Sequence, residues 1–170
     1  MAVTVGTDTY ITQADATTYI AAYHATTEAS VIAWTALTSD NKDAKLRKAT
    51  QNLDRIPMVG IKSVETQTLE FPRAIWTDNS FYTSVRSNYF PSDNWYVQTS
   101  VPTDVTYAQV EIALALSVGV SEREQMQRDG VKSFSLGKLS ESYGSGKSNF
   151  IPYEAKELLK QYMLGGARIA

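Results

Sequence analysis

The segment that opens at Pro102 constrains this chain more than any other. Val105, Ala108, Ile112, Ala115 and Leu116 recur at spacings of three and four residues, the period of one face of an α-helix. Proline suits the first helical position, because its missing N–H belongs to the group of donors that have no partner there anyway. The stripe is long and almost uncharged. A chain of 170 residues has room for one modest core, and this helix is expected at its centre. Its continuation, Ser121 to Asp129, is polar and charged, and Gly130 stops it.

Three further helices are expected around it. Thr12 with Asp15 three residues on reads as a helix start close to a capping box. Ala16, Tyr19, Ile20 and Tyr23 then mark an apolar face, giving a helix from Gln13 to Ala25. Ser39-Asp40 reads as the cap of a second helix, whose stripe is Leu46, Ala49, Leu53 and Ile56. Pro57 ends it, since proline excludes the helical conformation from the residue before it. Pro152 opens a last helix with Ala155, Leu158, Leu159, Tyr162 and Met163 on one face, and Gly165-Gly166 ends it. Glu154 and Glu157 lie early and Lys160 late, as the helix dipole favours.

The remaining segments read as extended or irregular. Val3 to Tyr10 is a short edge strand or an ordered arm. Met58 to Glu70, with Gly60 and many Thr, Ser and Val residues, is an extended connection. Val131 to Tyr143 is β-like, with Gly137 at a turn or bulge. The expected class is mainly α: a bundle of about four helices with a small β-hairpin or short strands and a long aromatic-rich loop, in a single domain over 1–170.

That loop, residues 74–100, follows Gln67-Thr68-Leu69-Glu70-Phe71-Pro72-Arg73 and ends at Val101-Pro102. It holds Trp76, Phe81, Tyr82, Tyr89, Phe90, Trp95 and Tyr96, with only Asp78, Arg86 and Asp93 as charges. Asn, Ser and Pro fill the gaps, which argues against a regular core helix. Three readings stay open. The aromatics pack the loop onto its own domain; or they bury in a partner surface, where Trp and Tyr make good anchors; or they stack single-stranded bases, which calls for more cations than one arginine.

Composition excludes several classes. Hydrophobic residues make up 43% and charged residues 20%, an ordinary globular balance. Net charge is -2, whereas dedicated nucleic-acid binders carry a basic excess. The densest basic group, Lys42, Lys45, Arg47 and Lys48, shares its helix with Asp40 and Asp43 and reads as a solvated face. Cysteine is absent, which removes disulfides, thiolate nucleophiles and cysteine-ligated zinc. The first residues lack the features of a signal peptide, and the apolar run from Ile112 to Val120 is too short to span a membrane.

Catalytic constellations are missing as well. His24 is the only histidine, and no Gly-x-Ser-x-Gly elbow accompanies it. Its place near the end of the first helix suits a C-terminal cation or a surface group. Gly144-Ser145-Gly146-Lys147-Ser148 resembles a phosphate-binding loop, but Glu141 stands where the first glycine is required and would repel phosphate. It reads as a flexible linker. Scattered carboxylates such as Glu122 and Glu124 gather no histidine or further acid, so neither a metal nor a cofactor is expected.

Taken in order, these motifs resemble a known family. Tyr19 and Tyr23-His24-Ala25 stand in the first helix. Lys45-Leu46-Arg47-Lys48-Ala49-Thr50 and Leu53-Asp54 stand in the second. Gln67 to Arg73, Val101-Pro102 with Glu111-Ile112-Ala113, Leu136-Gly137-Lys138-Leu139-Ser140-Glu141-Ser142-Tyr143 and the Pro152-led helix follow. The order is similar to that of tailed-bacteriophage head–tail connector, or head-completion adaptor, proteins, some of which carry a DnaT-like single-stranded-DNA-binding label. The resemblance implies a non-enzymatic virion protein of the neck, assembled in the host cytoplasm. It implies a dodecameric ring of copies of the chain, docked on the portal protein. The ring extends a channel through which packaged DNA passes without specific binding, and it presents a surface to the next tail or neck component.

In such proteins the C-terminal segment often reaches onto the portal, here an arm over 164–170 with Leu164, Arg168 and Ile169 as candidate contacts. The stretch from Ala74 to Ser100 is longer and more aromatic than the family pattern. The resemblance therefore assigns it no partner, and its aromatics are candidate partner contacts on their own chemistry. A single-stranded nucleic-acid-binding module is the alternative.

Overall fold

The structure is a computed structural model, described here over residues 2–76, 95–119, 133–136, 139–142 and 151–164. Among the described residues five helices run in the order α1 (Gln13–Tyr23), α2 (Ala29–Thr35), α3 (Ser39–Leu53), α4 (Thr103–Val118) and α5 (Tyr153–Leu159). Three short strands, β1 (Ile61–Lys62), β2 (Arg73–Trp76) and β3 (Trp95–Val97), form an antiparallel sheet in that order. β4 (Ser133–Leu136) and β5 (Leu139–Ser142) form a separate antiparallel hairpin. The class is mainly α with short strands, as the periodicities predict.

The Pro102-led helix is the centre. α4 packs against α1, α2, α3 and α5. Its buried positions run from Val105 and then Ala108 through Leu114 without a gap, including Gln109 and Glu111. A helix covered on all sides cannot be amphipathic, so the stripe read from the sequence understates its burial. Pro102 is the N-cap rather than the first helical residue. The helix closes at Gly119, whose φ of 87° favours glycine. The continuation expected over 121–129 lies outside the described residues.

The two polar groups buried on α4 are satisfied by design of the packing. The side-chain amide of Gln109 accepts from the Tyr10 N–H at 2.9 Å and donates to the Leu46 carbonyl at 3.1 Å. One fully buried side chain thus joins the N-terminal arm, α3 and α4, and a buried polar group left unpaired would cost about 1–3 kcal/mol. Lys45 of α3 donates to the Leu116 carbonyl at 2.8 Å, placing a cation at the C-terminal end of α4.

The neighbouring helices follow their sequence signals. Thr12 caps α1, accepting from the Asp15 N–H at 3.1 Å. Thr38, rather than Ser39 or Asp40, caps α3. Leu46, Ala49, Leu53 and Ile56 are all buried, as their spacing predicts. Ala155 and Leu159 of α5 are buried, with Leu158, Tyr162 and Met163 packed at the edge of the core. α2 was not expected. It has no side-chain cap, so the residues before it carry no start signal, and its seven residues are held by burying Val31 and Trp34 against α4.

Of two further expectations, one is narrowed and one changes. Val3 to Tyr10 is an ordered arm, making only an isolated bridge between Val5 and Thr9. Arg47 of α3 holds it by donating to the Ala2 carbonyl at 2.8 Å and pairing with Asp8 at 3.5 Å. The stretch expected as a loop from residue 74 instead begins and ends in sheet, since β2 and β3 pair at its two ends.

Gly60, just before β1, has φ +84° and lies against β2. A Cβ there would come 2.2 Å from the Ala74 carbonyl oxygen, and the backbone conformation alone costs a non-glycine residue about 1–3 kcal/mol. Gly60→Ala should therefore lower stability by at least that much in a denaturant titration, with β1 and β2 losing hydrogen-exchange protection first.

Candidate functional site

The segment from Gln67 to Arg73 builds the platform from which the aromatic residues project. Gln67 is its hub. Its side-chain oxygen accepts from Ser63 Oγ at 3.0 Å and the Val64 N–H at 3.1 Å, and its Nε2 donates to the Leu69 and Pro72 carbonyls at 2.8 and 3.0 Å. Arg73 is buried. Its guanidinium donates to the Val59 carbonyl at 2.9 Å, to the Gly60 carbonyl at 2.6 Å and to the Glu70 carboxylate. A planar fork of five donors fits such a set of oxygens. The family-like motif is thus a folding device that clamps the turn before β1 onto β2.

Tyr10 fastens this platform to the bundle. Its hydroxyl donates to Asp54 and accepts from the Glu70 and Phe71 N–H groups at 3.0 and 3.2 Å. Burial, reinforced by the Asp54 charge, pushes the Tyr10 hydroxyl far up, so it stays a neutral donor. Phe71 stacks edge-on against Tyr10 and Tyr162, with centroids 6.1 and 5.5 Å apart.

On this base, β2 and β3 pair as Ala74 with Val97, Ile75 with Tyr96 and Trp76 with Trp95. Gln98 locks the foot of the pair: its side chain accepts from the Arg73 N–H, and its own N–H donates to the Arg73 carbonyl, both at 2.9 Å. Side chains alternate between faces of a strand. Trp76 and Trp95 therefore meet on one face, edge-on with centroids 5.2 Å apart. Ile75 and Tyr96 take the other. Trp76 remains 43% exposed and Tyr96 48% exposed.

Beside Tyr96 lies a groove of about 400 Å³. Ile75, Tyr96 and Gln98 form one wall; Thr99, Ser100 and Pro102 lead into α4; Gln161 and Tyr162 close it from the end of α5. Gln161 donates to Asp104 at 2.8 Å, joining the last two of these elements. Burial, with Asp104 nearby, raises the Tyr162 hydroxyl above its ordinary range. The described lining has polar and aromatic groups but no charge.

Of the predicted partner contacts, Trp76, Trp95 and Tyr96 come together at this sheet edge. Leu164 is exposed, and its N–H donates to the Pro57 carbonyl at 2.9 Å. Phe81, Tyr82, Tyr89, Phe90, Arg168 and Ile169 lie outside the described residues. The groove itself was not foreseen, because it forms between segments some 60 residues apart. Tyr162, which its spacing places on the face of the last helix, lies just past the end of α5 and lines this groove.

A second cluster was also missed. His24 sits at the C-cap of α1, as its place in the sequence suggests, and is half-buried rather than a surface group; it contacts Glu28 and Glu111, each at 2.9 Å. Tyr19 donates to Glu111 at 2.7 Å. The rings of Tyr19, Tyr23 and Tyr107 pack together, Tyr19 and Tyr107 having centroids 4.3 Å apart. Among the described residues, no three histidine, aspartate or glutamate side chains group as metal ligands, and no helix is long and apolar enough to cross a membrane.

Fold and site together define a mainly α scaffold that displays aromatic side chains from a short antiparallel sheet. The chain belongs to the family described as putative DnaT-like ssDNA binding protein, whose model matches residues 2–170. No curated protein and no solved structure matched it.

Replacing Tyr10 with phenylalanine removes the hydroxyl that serves Asp54 and two N–H groups. Y10F should cost about 1–3 kcal/mol by chemical denaturation while leaving the helix content by circular dichroism unchanged.

Proposed function

We propose that this protein is a structural adaptor of the tailed-phage neck, which assembles into a ring, docks on the portal protein and presents a surface to the next tail component. The observation that carries this reading is the uncharged aromatic edge at β2 and β3. Trp76 and Tyr96 are exposed although the strands beneath them are fully tied down. Tyr96, exposed beside a concave groove whose described lining is uncharged, and Trp76, exposed on the opposite face of the strand pair, are the chemistry of a protein interface, where desolvating a charge is costly and aromatic anchors dominate affinity. The collinear motifs of the sequence support the particular assembly. On this reading the chain acts without catalysis or cofactor, and packaged DNA passes the ring without specific contact.

The double variant Trp76→Ala, Tyr96→Ala tests it. Light scattering of purified protein with and without portal protein should show a large assembly for the wild type. For the variant it should show at least tenfold weaker association, with an unchanged circular dichroism spectrum. A wild-type protein that binds neither portal nor tail components overturns the proposal.

The family description favours a second reading, a single-stranded-DNA-binding module. Trp76 and Tyr96 would then stack bases, each worth about 1–3 kcal/mol. Against it stand the net charge of -2 and the uncharged described lining of the groove, since phosphate contacts supply most of such affinity. Titration with a thymidine oligonucleotide at two salt concentrations separates the two. The adaptor reading expects no binding at micromolar protein; salt-steep binding lost in the Trp76→Ala variant would establish the second.

A further inference from the structure

We propose that His24 is a protonation-gated clasp, holding the turn between α1 and α2 against the central helix when charged and releasing it when neutral. The geometry fits the charged ring between two carboxylates. Nδ1 lies 2.9 Å from a Glu28 oxygen and Nε2 lies 2.9 Å from a Glu111 oxygen. A carboxylate only accepts hydrogen bonds, and neutral imidazole has a single N–H. Both contacts form together only if both ring nitrogens carry protons. Loss of one proton sets a ring lone pair against a carboxylate oxygen, and one contact must open.

The surroundings make that opening consequential. Glu111 is 9% exposed and projects from α4, so His24 partly neutralises a carboxylate inside the bundle. The other Glu28 oxygen accepts from the Ala25 N–H at 2.9 Å, so the same carboxylate closes the backbone of the turn. The titratable groups around the ring are Tyr19 and Tyr23 from α1, Glu28 from the turn, and Tyr107 and Glu111 from α4. Burial raises the Tyr19 hydroxyl, with help from Glu111, so it remains a neutral donor. The Ala25 N–H and then His24 hold the Glu28 carboxyl below its ordinary range. His24 is therefore the group that changes charge near neutrality. Burial pulls its affinity for a proton down, but hydrogen bonds to Glu28 and Glu111 carry it above the ordinary value.

The sign follows from that direction. A histidine bound more tightly to its proton in the folded state contributes all of its stabilisation below about pH 6.5, the unfolded value. The contribution is lost as pH rises through the higher folded value. Opening leaves Glu111 bound to Tyr19 alone and loosens the ring cluster of Tyr19, Tyr23 and Tyr107 beside it.

His24 is the only histidine, so nuclear magnetic resonance follows its ring without ambiguity. At pH 6 both ring nitrogens should be protonated, and the titration midpoint should lie above that of a histidine in a short peptide. Above that midpoint the Ala25 N–H should lose hydrogen-exchange protection, after correction for the intrinsic pH dependence of exchange. Glu28→Gln should lower the midpoint, and His24→Gln should make Ala25 protection independent of pH. A midpoint at or below the peptide value, or Ala25 protection that does not change across it, overturns the proposal; both are read on the wild-type protein.

Discussion

Everything described in this molecule is arranged around a helix whose middle turns, from Ala108 to Leu114, have no free side. α4 contacts four other helices, and a helix buried on every face must either be wholly apolar or bring its own answers for the polar groups it carries. It does the second. Gln109 meets the arm and α3, while Glu111 meets Tyr19 and His24. These contacts set which elements can stand beside α4 and at what height, because an amide or a carboxylate finds its partners in one register only. Apolar packing supplies the driving force, and the polar pairs select the arrangement.

The sheet edge depends on a second, smaller constraint. β1 has two residues and β3 has three, far too few to hold together alone. Arg73 and Gln67 replace the missing ladder with side-chain hydrogen bonds to backbone oxygens, and Gln98 ties β3 to β2 at its base. Tyr10 then fixes this small platform to the bundle through Asp54. Trp76 and Tyr96 stand above this base, each roughly half exposed, on opposite faces of the strand pair.

Much of this was legible from residue spacing. Leu46, Ala49, Leu53 and Ile56 announce the core face of α3, and Pro57 its end. Thr12 and Asp15 announce the start of α1. The motif from Gln67 to Arg73 stood out, yet its role did not, since nothing in seven residues says that the arginine turns inward to the Val59 and Gly60 carbonyls. α2 escaped notice because it is short, uncapped and stabilised only by what it packs on. The place of His24 at the end of α1 was legible, but neither of its partners can be inferred from its own helix; Glu111 is 87 residues away along the chain.

What the sequence determined by itself was local: where helices start and stop, which of their faces are apolar, and that a central helix exists. These follow from backbone sterics, capping and periodicity, which act over a few residues. Tertiary structure decided the rest. It buried Gln109, Glu111 and Arg73 with partners, set His24 between two carboxylates, and opened a groove between β3 and α5. Each of those depends on groups far apart in the chain reaching hydrogen-bonding distance. That is a property of packed elements, and no local pattern encodes it.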